Sequence, residues 1–328
     1  MQHGGDVWGT ESPSEWLDFS ANLRPEGPPD WVDDALKKAR SNIRYYPDPE
    51  MKRARRGIAL FLGVPEECVL PAAGGAAAID LALTLDSGCV YIQPPTFSEY
   101  AVRAAVHGRR CSEWTGLCIP GDTLILCNPN NPTGKAQTRP ALVKLLKTVN
   151  RSGGRLVIDE AFITYCPEYS LRGEIHAGAV IIGSFSKLLC IPGIRAGYIC
   201  AAPEIISQLR NRMLPWSLDA AATEIAAALP EHRNLAAADA ALNEKRRAAM
   251  TAQLQRFGAE VYPSQSNFLL ADFHRDMSAA AEQLKGRKIL VRTCASFGLP
   301  ESFWRLAVRT EEENARLMTA LEGILDEG

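Results

Sequence analysis

Short apolar runs alternate with stretches of helical period along most of this chain. The runs at residues 89–92, 124–127, 156–158, 180–182 and 198–200 are nearly continuous in apolar side chains. Strands of that kind are buried on both faces, which predicts a mostly parallel sheet between helices. Polar and glycine-rich residues follow several of these runs, at the carboxyl ends of strands where open α/β sheets bind ligands. A short amphipathic helix is expected over 31–39, and a turn at Tyr45-Tyr46-Pro47-Asp48-Pro49. The Ala-rich stretch 220–241 reads as helix, because Ala is the best helix former. After Pro215 the pattern changes. A long helix is expected over about 234–257, with strands at 268–270, 289–291 and 303–308. This predicts an α/β protein in three parts: an arm at 1–30 packing with the small domain, a large domain at 31–233, and a small α+β domain at 234–328.

Composition narrows the classes. The 328 residues are 46% hydrophobic and 23% charged, with a formal charge of -2. A near-neutral chain has no electrostatic footprint for nucleic acid. No run of about 18 apolar residues exists to span a bilayer. The start, Met1-Gln2-His3-Gly4-Gly5-Asp6, has no basic segment followed by an apolar one, so no secretory signal is expected. The nine cysteines are scattered and form no C-x-x-C pair, which suits a reducing cytoplasm and argues against a zinc site. Cys89, Cys127 and Cys200 lie in apolar runs and read as small buried hydrophobes.

Four segments carry chemistry: Gly74-Gly75-Ala76, then Asn128-Pro129-Asn130-Asn131-Pro132-Thr133-Gly134, then Asp159-Glu160-Ala161-Phe162, then Ser184-Phe185-Ser186-Lys187 with Arg195 eight residues on. Lys187 follows an apolar run on a small-residue turn, where an amine can form an imine with an aldehyde cofactor; alone, it reads equally as a solvated surface lysine. Asp159 ends an apolar strand, where a carboxylate can pair with a protonated ring nitrogen; alone, it reads as a helix cap. Glycines before the helical run at Ile79 let backbone N–H groups hold a phosphate, although a plain turn looks the same. Ser184, Ser186 and Arg195 can complete such a cup. The amide of Asn131 can bond a ring hydroxyl.

Together, and in this order, these residues resemble the fold-type I pyridoxal-phosphate (PLP) enzymes of the aspartate aminotransferase superfamily, from about Tyr45 to Asn314. The resemblance implies a PLP-dependent transferase fold, with a large domain and a small α+β C-terminal domain. It implies that Lys187 forms the Schiff base and that Asp159 partners the pyridine nitrogen. Asn131 would bond the phenolic oxygen, Phe97 would stack on the ring, and Gly75, Ala76, Ser184, Ser186 and Arg195 would form the phosphate cup. Tyr46 would reach the phosphate in a neighbouring subunit, which implies a homodimer. Arg305 would take the substrate carboxylate.

Within the superfamily the chain resembles the histidinol-phosphate aminotransferase branch and, more narrowly, the threonine-phosphate decarboxylases that serve cobalamin assembly. The arm with His3-Gly4-Gly5-Asp6 and Asn22, Phe162 in place of a usual Tyr, and Arg309 in place of a usual Gly carry the narrower likeness. It implies a phosphorylated amino acid as substrate, with His3, Asn22, Arg305 and Arg309 as its ligands. The loop Gly74-Gly75-Ala76-Ala77-Ala78 departs from the family in lacking Thr/Ser-Glu, and Arg24 replaces a more usual Asn. In this chemistry the bond that breaks is the one held perpendicular to the ring, so positioning decides between CO₂ loss and transamination. Arg305 and Arg309 are four apart on the expected strand and so point to the same face, which suits a dianionic phosphate plus a carboxylate; Arg309 paired with Glu311 or Glu312 is the bland alternative. Decarboxylation of threonine phosphate is the expectation. An aminotransferase acting on histidinol phosphate and a non-catalytic binding module remain open beside it.

Overall fold

In the computed structural model, which describes residues 4–8 and 12–326, the apolar runs pair into one large sheet. The strands are β1 (Leu17–Asp18), β2 (Val69–Ala72), β3 (Val90–Ile92), β4 (Cys111–Glu113), β5 (Thr123–Cys127), β6 (Arg155–Asp159), β7 (Val180–Ser184), β8 (Gly197–Cys200), β9 (Glu260–Val261), β10 (Phe268–Asp272), β11 (Ile289–Leu290), β12 (Arg292–Thr293) and β13 (Phe303–Ala307). The helices are α1 (Trp31–Asn42), α2 (Lys52–Leu62), α3 (Gly74–Ala82), α4 (Glu99–Val106), α5 (Arg139–Arg151), α6 (Pro203–Arg210), α7 (Ala220–Ala228), α8 (Leu235–Arg256), α9 (Ser278–Gly286) and α10 (Glu311–Asp326).

The seven-stranded sheet has the order β2-β8-β7-β6-β5-β3-β4. The pairs from β4 through β7 are all parallel, whereas β8 runs antiparallel to both β7 and β2. The reversal follows from the connection between β7 and β8. It contains no α-helix to carry the chain back across the sheet, as a parallel return requires. Every residue of β5 is buried, and four of the five in β6 are buried too, which is why both read as unbroken apolar runs.

Both edges of this sheet escape the sequence pattern. β2 contains Pro71, which a central strand excludes and an edge strand tolerates. β4 is short and half-polar. The Ala-rich stretch expected as one helix is two, α7 and α8, separated by a 3-10 turn at Leu229–His232. Pro230 lies in that turn and removes the N–H that a continuous helix needs. The run expected at 289–291 also divides. β11 pairs with β1 of the arm, and β12 joins the antiparallel sheet β12-β13-β10-β9.

One apolar cluster surrounds the large sheet. A second gathers Leu269, Trp304 and Leu306 from the small sheet with Met250, Leu317 and Leu321 from the helices behind it. Leu17 and Phe19 of the arm belong to this second cluster, and Phe19 is fully buried. Burying one such side chain contributes roughly 1.5–3 kcal/mol. Among the described residues, no helix is long and apolar enough to cross a membrane.

Candidate active site

The carboxyl ends of β5, β6 and β7 and the amino end of α3 converge on a cavity of about 270 Å³, roofed by the arm and by the small sheet. Sequence-distant Lys187, Asp159, Asn131, Phe97, Gly75, Ala76, Ser184, Ser186 and Arg195 all line it, as do Asn22 and Arg305.

Lys187 is reached directly from β7, is half-buried and lines the cavity. Burial first, then the guanidinium charges of Arg305 and Arg195, bring its ammonium down to about 8, against a smaller opposing pull from Asp159. Its place in the cavity lining sets it apart from a freely solvated surface lysine. Asp159 is the last residue of β6. Its Oδ2 accepts the phenol of Tyr100 at 2.8 Å, and its Oδ1 accepts the backbone N–H of Ala161 at 3.0 Å. Burial raises its carboxyl above the usual range, and the Tyr100 bond works in the other direction.

The amino end of α3 is shaped for an anion. Gly74 has φ +84, which favours glycine, and a Cβ there would stand 2.5 Å from Nη2 of Arg195 and push the guanidinium aside. The first N–H groups of a helix lack intrahelical partners and carry the positive end of its dipole. Ser186 Oγ is buried beside them with no hydrogen-bond partner among the described residues. Asn22 Oδ1 is orphaned in the same way at the other side of the cavity. Polar atoms left so are costly to bury and mark where a ligand's polar groups would sit.

Arg305 projects from β13. Its Nη1 donates to Asn131 Oδ1 at 2.6 Å and its Nη2 to the Ser20 carbonyl. Its Nε is buried without a partner among the described residues. Burial lowers its pKa to about 10. The bond from Arg305 fixes the Asn131 amide with its oxygen toward the guanidinium and leaves the NH₂ as the donor end. Phe97 packs edge-on to Tyr100 with ring centres 5.6 Å apart, and Phe162 edge-on to Phe268 at 5.0 Å.

Arg292 is the residue that the sequence reading missed. It lies directly opposite Arg305 across β12 and β13, is buried, and lines the cavity. Its Nη2 donates to Ser296 Oγ at 2.5 Å. The ring of Phe297 lies near both guanidiniums, 5.3 Å from Arg292 and 6.0 Å from Arg305. A two-residue strand gives no period to read, so nothing in the sequence marked Arg292 as inward-facing.

Arg309 differs from expectation. β13 ends at Ala307, so strand alternation does not carry Arg309 to the face of Arg305. Arg309 Nη2 instead binds Glu313 at 2.7 Å and its Nη1 the Asp18 carbonyl at 3.1 Å, and the side chain does not line the cavity. The partner is Glu313, one helical turn on, rather than Glu311 or Glu312. Tyr46 is 82% exposed and rests against Trp216, away from this chain's own cavity. His3 lies outside the described residues. Arg24 anchors the arm: its backbone N–H donates to the Lys187 carbonyl at 3.1 Å and its Nε to Asp239 at 2.7 Å.

Comparison with known proteins agrees with this geometry. The family model "Aminotransferase class I and II" matches residues 14–321. Threonine-phosphate decarboxylase from Salmonella typhimurium is 30% identical, over 98% of this chain and 96% of its own length. The crystal structure of L-threonine-O-3-phosphate decarboxylase from Porphyromonas gingivalis superposes with a TM-score of 0.85 at 25% identity, over 94% of this chain and 99% of that one. That of histidinol-phosphate aminotransferase from Clostridium acetobutylicum gives 0.87 at 26% identity, again over 94% and 99%. With the match spanning nearly every element described above, the chain belongs to the aminotransferase class I and II family.

Proposed function

We propose that this chain is a PLP-dependent lyase that decarboxylates L-threonine O-3-phosphate to (R)-1-aminopropan-2-yl phosphate, a step toward cobalamin. The observation that carries the proposal is the pair Arg292 and Arg305, two buried cations in register on neighbouring strands, both fronting the cavity that holds Lys187. A cavity with two buried guanidiniums suits a substrate with two anionic ends. The relatives named as acting on threonine phosphate support the same choice.

The residues fit the cofactor. The glycine at position 74, the Arg195 guanidinium against it and the orphaned Ser186 hydroxyl make a cradle for a phosphate. When bound there, PLP supplies an electron sink for the pair left by the departing carboxylate. The chain's own residues do the rest. Lys187 Nζ would be the amine that holds the aldehyde and the acid that returns a proton to Cα. Asp159 would partner the ring nitrogen. Asn131 would donate to the phenolic oxygen, and Phe97 would stack on the ring. Arg305 takes the carboxylate and Arg292 the phosphate, with Asn22 and His3 as further substrate ligands. Arg292 stands where Arg309 was expected, since Arg309 is committed to Glu313. Phe162 offers no hydroxyl to the cofactor. The acting unit in this proposal is a cytoplasmic homodimer in which Tyr46 enters the partner's site, with the arm, large domain and small domain dividing near residues 30 and 233.

The decisive experiment offers threonine phosphate, serine phosphate and histidinol phosphate separately, the last with 2-oxoglutarate. CO₂ release from threonine phosphate is the expected result. Glutamate formation from histidinol phosphate without CO₂ from any substrate would establish the second reading, an aminotransferase, which the likeness to the Clostridium enzyme favours.

A further inference from the structure

Tyr100 carries no role in any reading above, yet it is fully buried on α4, against the two groups that would meet the cofactor ring. Its phenol donates to Asp159 Oδ2 at 2.8 Å, and its ring stands edge-on to Phe97 at 87°. Asp159 has one donor on each oxygen, and Tyr100 is the one from a side chain. The thiol of Cys127, whose Cα is in register with that of Asp159, closes the far side, with its Sγ 3.1 Å from the Pro129 carbonyl.

We propose that Tyr100 is a positioning residue: its phenol fixes the Asp159 carboxylate and its ring braces Phe97, so one buried side chain sets both the edge and the face of the cofactor ring. The inference rests on the reading of this cavity as a PLP site. Burial holds the phenol well above its ordinary range, so Tyr100 stays the donor in this bond. The other groups around that carboxylate are Lys187 after β7, Cys127 on β5, Tyr198 on β8 and the neighbouring Glu160. Among these, Lys187 favours the charged form of Asp159, as Tyr100 does, whereas burial opposes it. Removing the phenol therefore pushes the carboxyl further up, and the charge is lost at a higher pH.

The test measures PLP binding by visible absorbance across pH on the full chain, for wild type, Tyr100→Phe and Asp159→Asn. The phenylalanine variant keeps the ring and its packing against Phe97. It is expected to bind PLP about tenfold more weakly at pH 7. The pH at which binding fails on acidification should rise by about one unit. Asp159→Asn should lose that acid limb altogether. A Tyr100→Phe protein with wild-type affinity and an unmoved acid limb would overturn the inference. If that variant does not fold, Tyr100→3-fluorotyrosine replaces it. This more acidic phenol has nearly the same shape, so the acid limb should move to lower pH, and an unchanged limb would again overturn the idea. A wild-type chain that takes up no PLP at any pH would instead sink the proposed function itself.

Discussion

At Lys187, burial beside Arg305 and Arg195 makes the amine neutral far below its ordinary range. Its folded pKa is about 8, against 10.5 in the unfolded chain. Below pH 8 both states carry the proton, and the folded state bears the cost of a buried charge. Between about 8 and 10.5 the folded state holds fewer protons, so this group's unfavourable contribution fades as pH rises. Uptake of PLP by the apoprotein should accordingly rise with a midpoint near pH 8, followed by stopped-flow absorbance. In Arg305→Ala the midpoint should move upward, because a repelling charge is gone. The same variant should lower kcat/KM for threonine phosphate about a hundredfold or more, since it removes one partner of a buried charged contact. Arg292→Ala is expected to do likewise for the phosphorylated substrate, and to spare an analogue without phosphate. Arg309→Ala should affect stability more than KM. Lys187, Asp159 and Asn131 were legible because each sits in a short string with a fixed order of neighbours. Arg292 was not, because its inward direction depends on a pairing with β13 that no local pattern announces.

Elements place these residues, and two glycines let neighbouring elements approach closely. A Cβ on Gly183 of β7 would come within 2.1 Å of the Tyr198 ring on β8, and one on Gly57 of α2 within 2.1 Å of the Ala226 carbonyl on α7. Ala at either position should destabilise the fold by about 1–3 kcal/mol through overpacking, seen as a lower midpoint in urea. Gly74→Ala tests something different. Its clash is with Arg195, so PLP affinity should fall while the urea midpoint changes less. The central strands were readable in the sequence because burial on both faces leaves their interiors apolar, with polar side chains only at their ends. The edges β2 and β4 were hidden by Pro71 and by polar side chains, and the join between α7 and α8 by the helix propensity of the alanines around Pro230.

For the whole molecule, the exposed Tyr46, Trp216, Leu214 and Ile43 are the surface where a second copy would matter. The proposed dimer predicts a mass in solution of twice 35.8 kDa. It also predicts that mixing Lys187→Ala with Tyr46→Ala chains restores CO₂ release, since one of the two sites in a mixed dimer regains both residues. Mixtures no more active than the separate variants would rule out a shared site.

The anchoring of the arm has a consequence for how the molecule is made. β1 pairs with β11, and the backbone of Arg24 is bonded to that of Lys187, so segments synthesised first wait for partners synthesised late. Contacts this distant in sequence are slow to form. A nascent chain halted after β8 holds the lysine and the phosphate cradle, yet lacks β11 for the arm to dock on. Such a chain should capture PLP more slowly than one released after β13, which places completion of the pocket among the last events of folding.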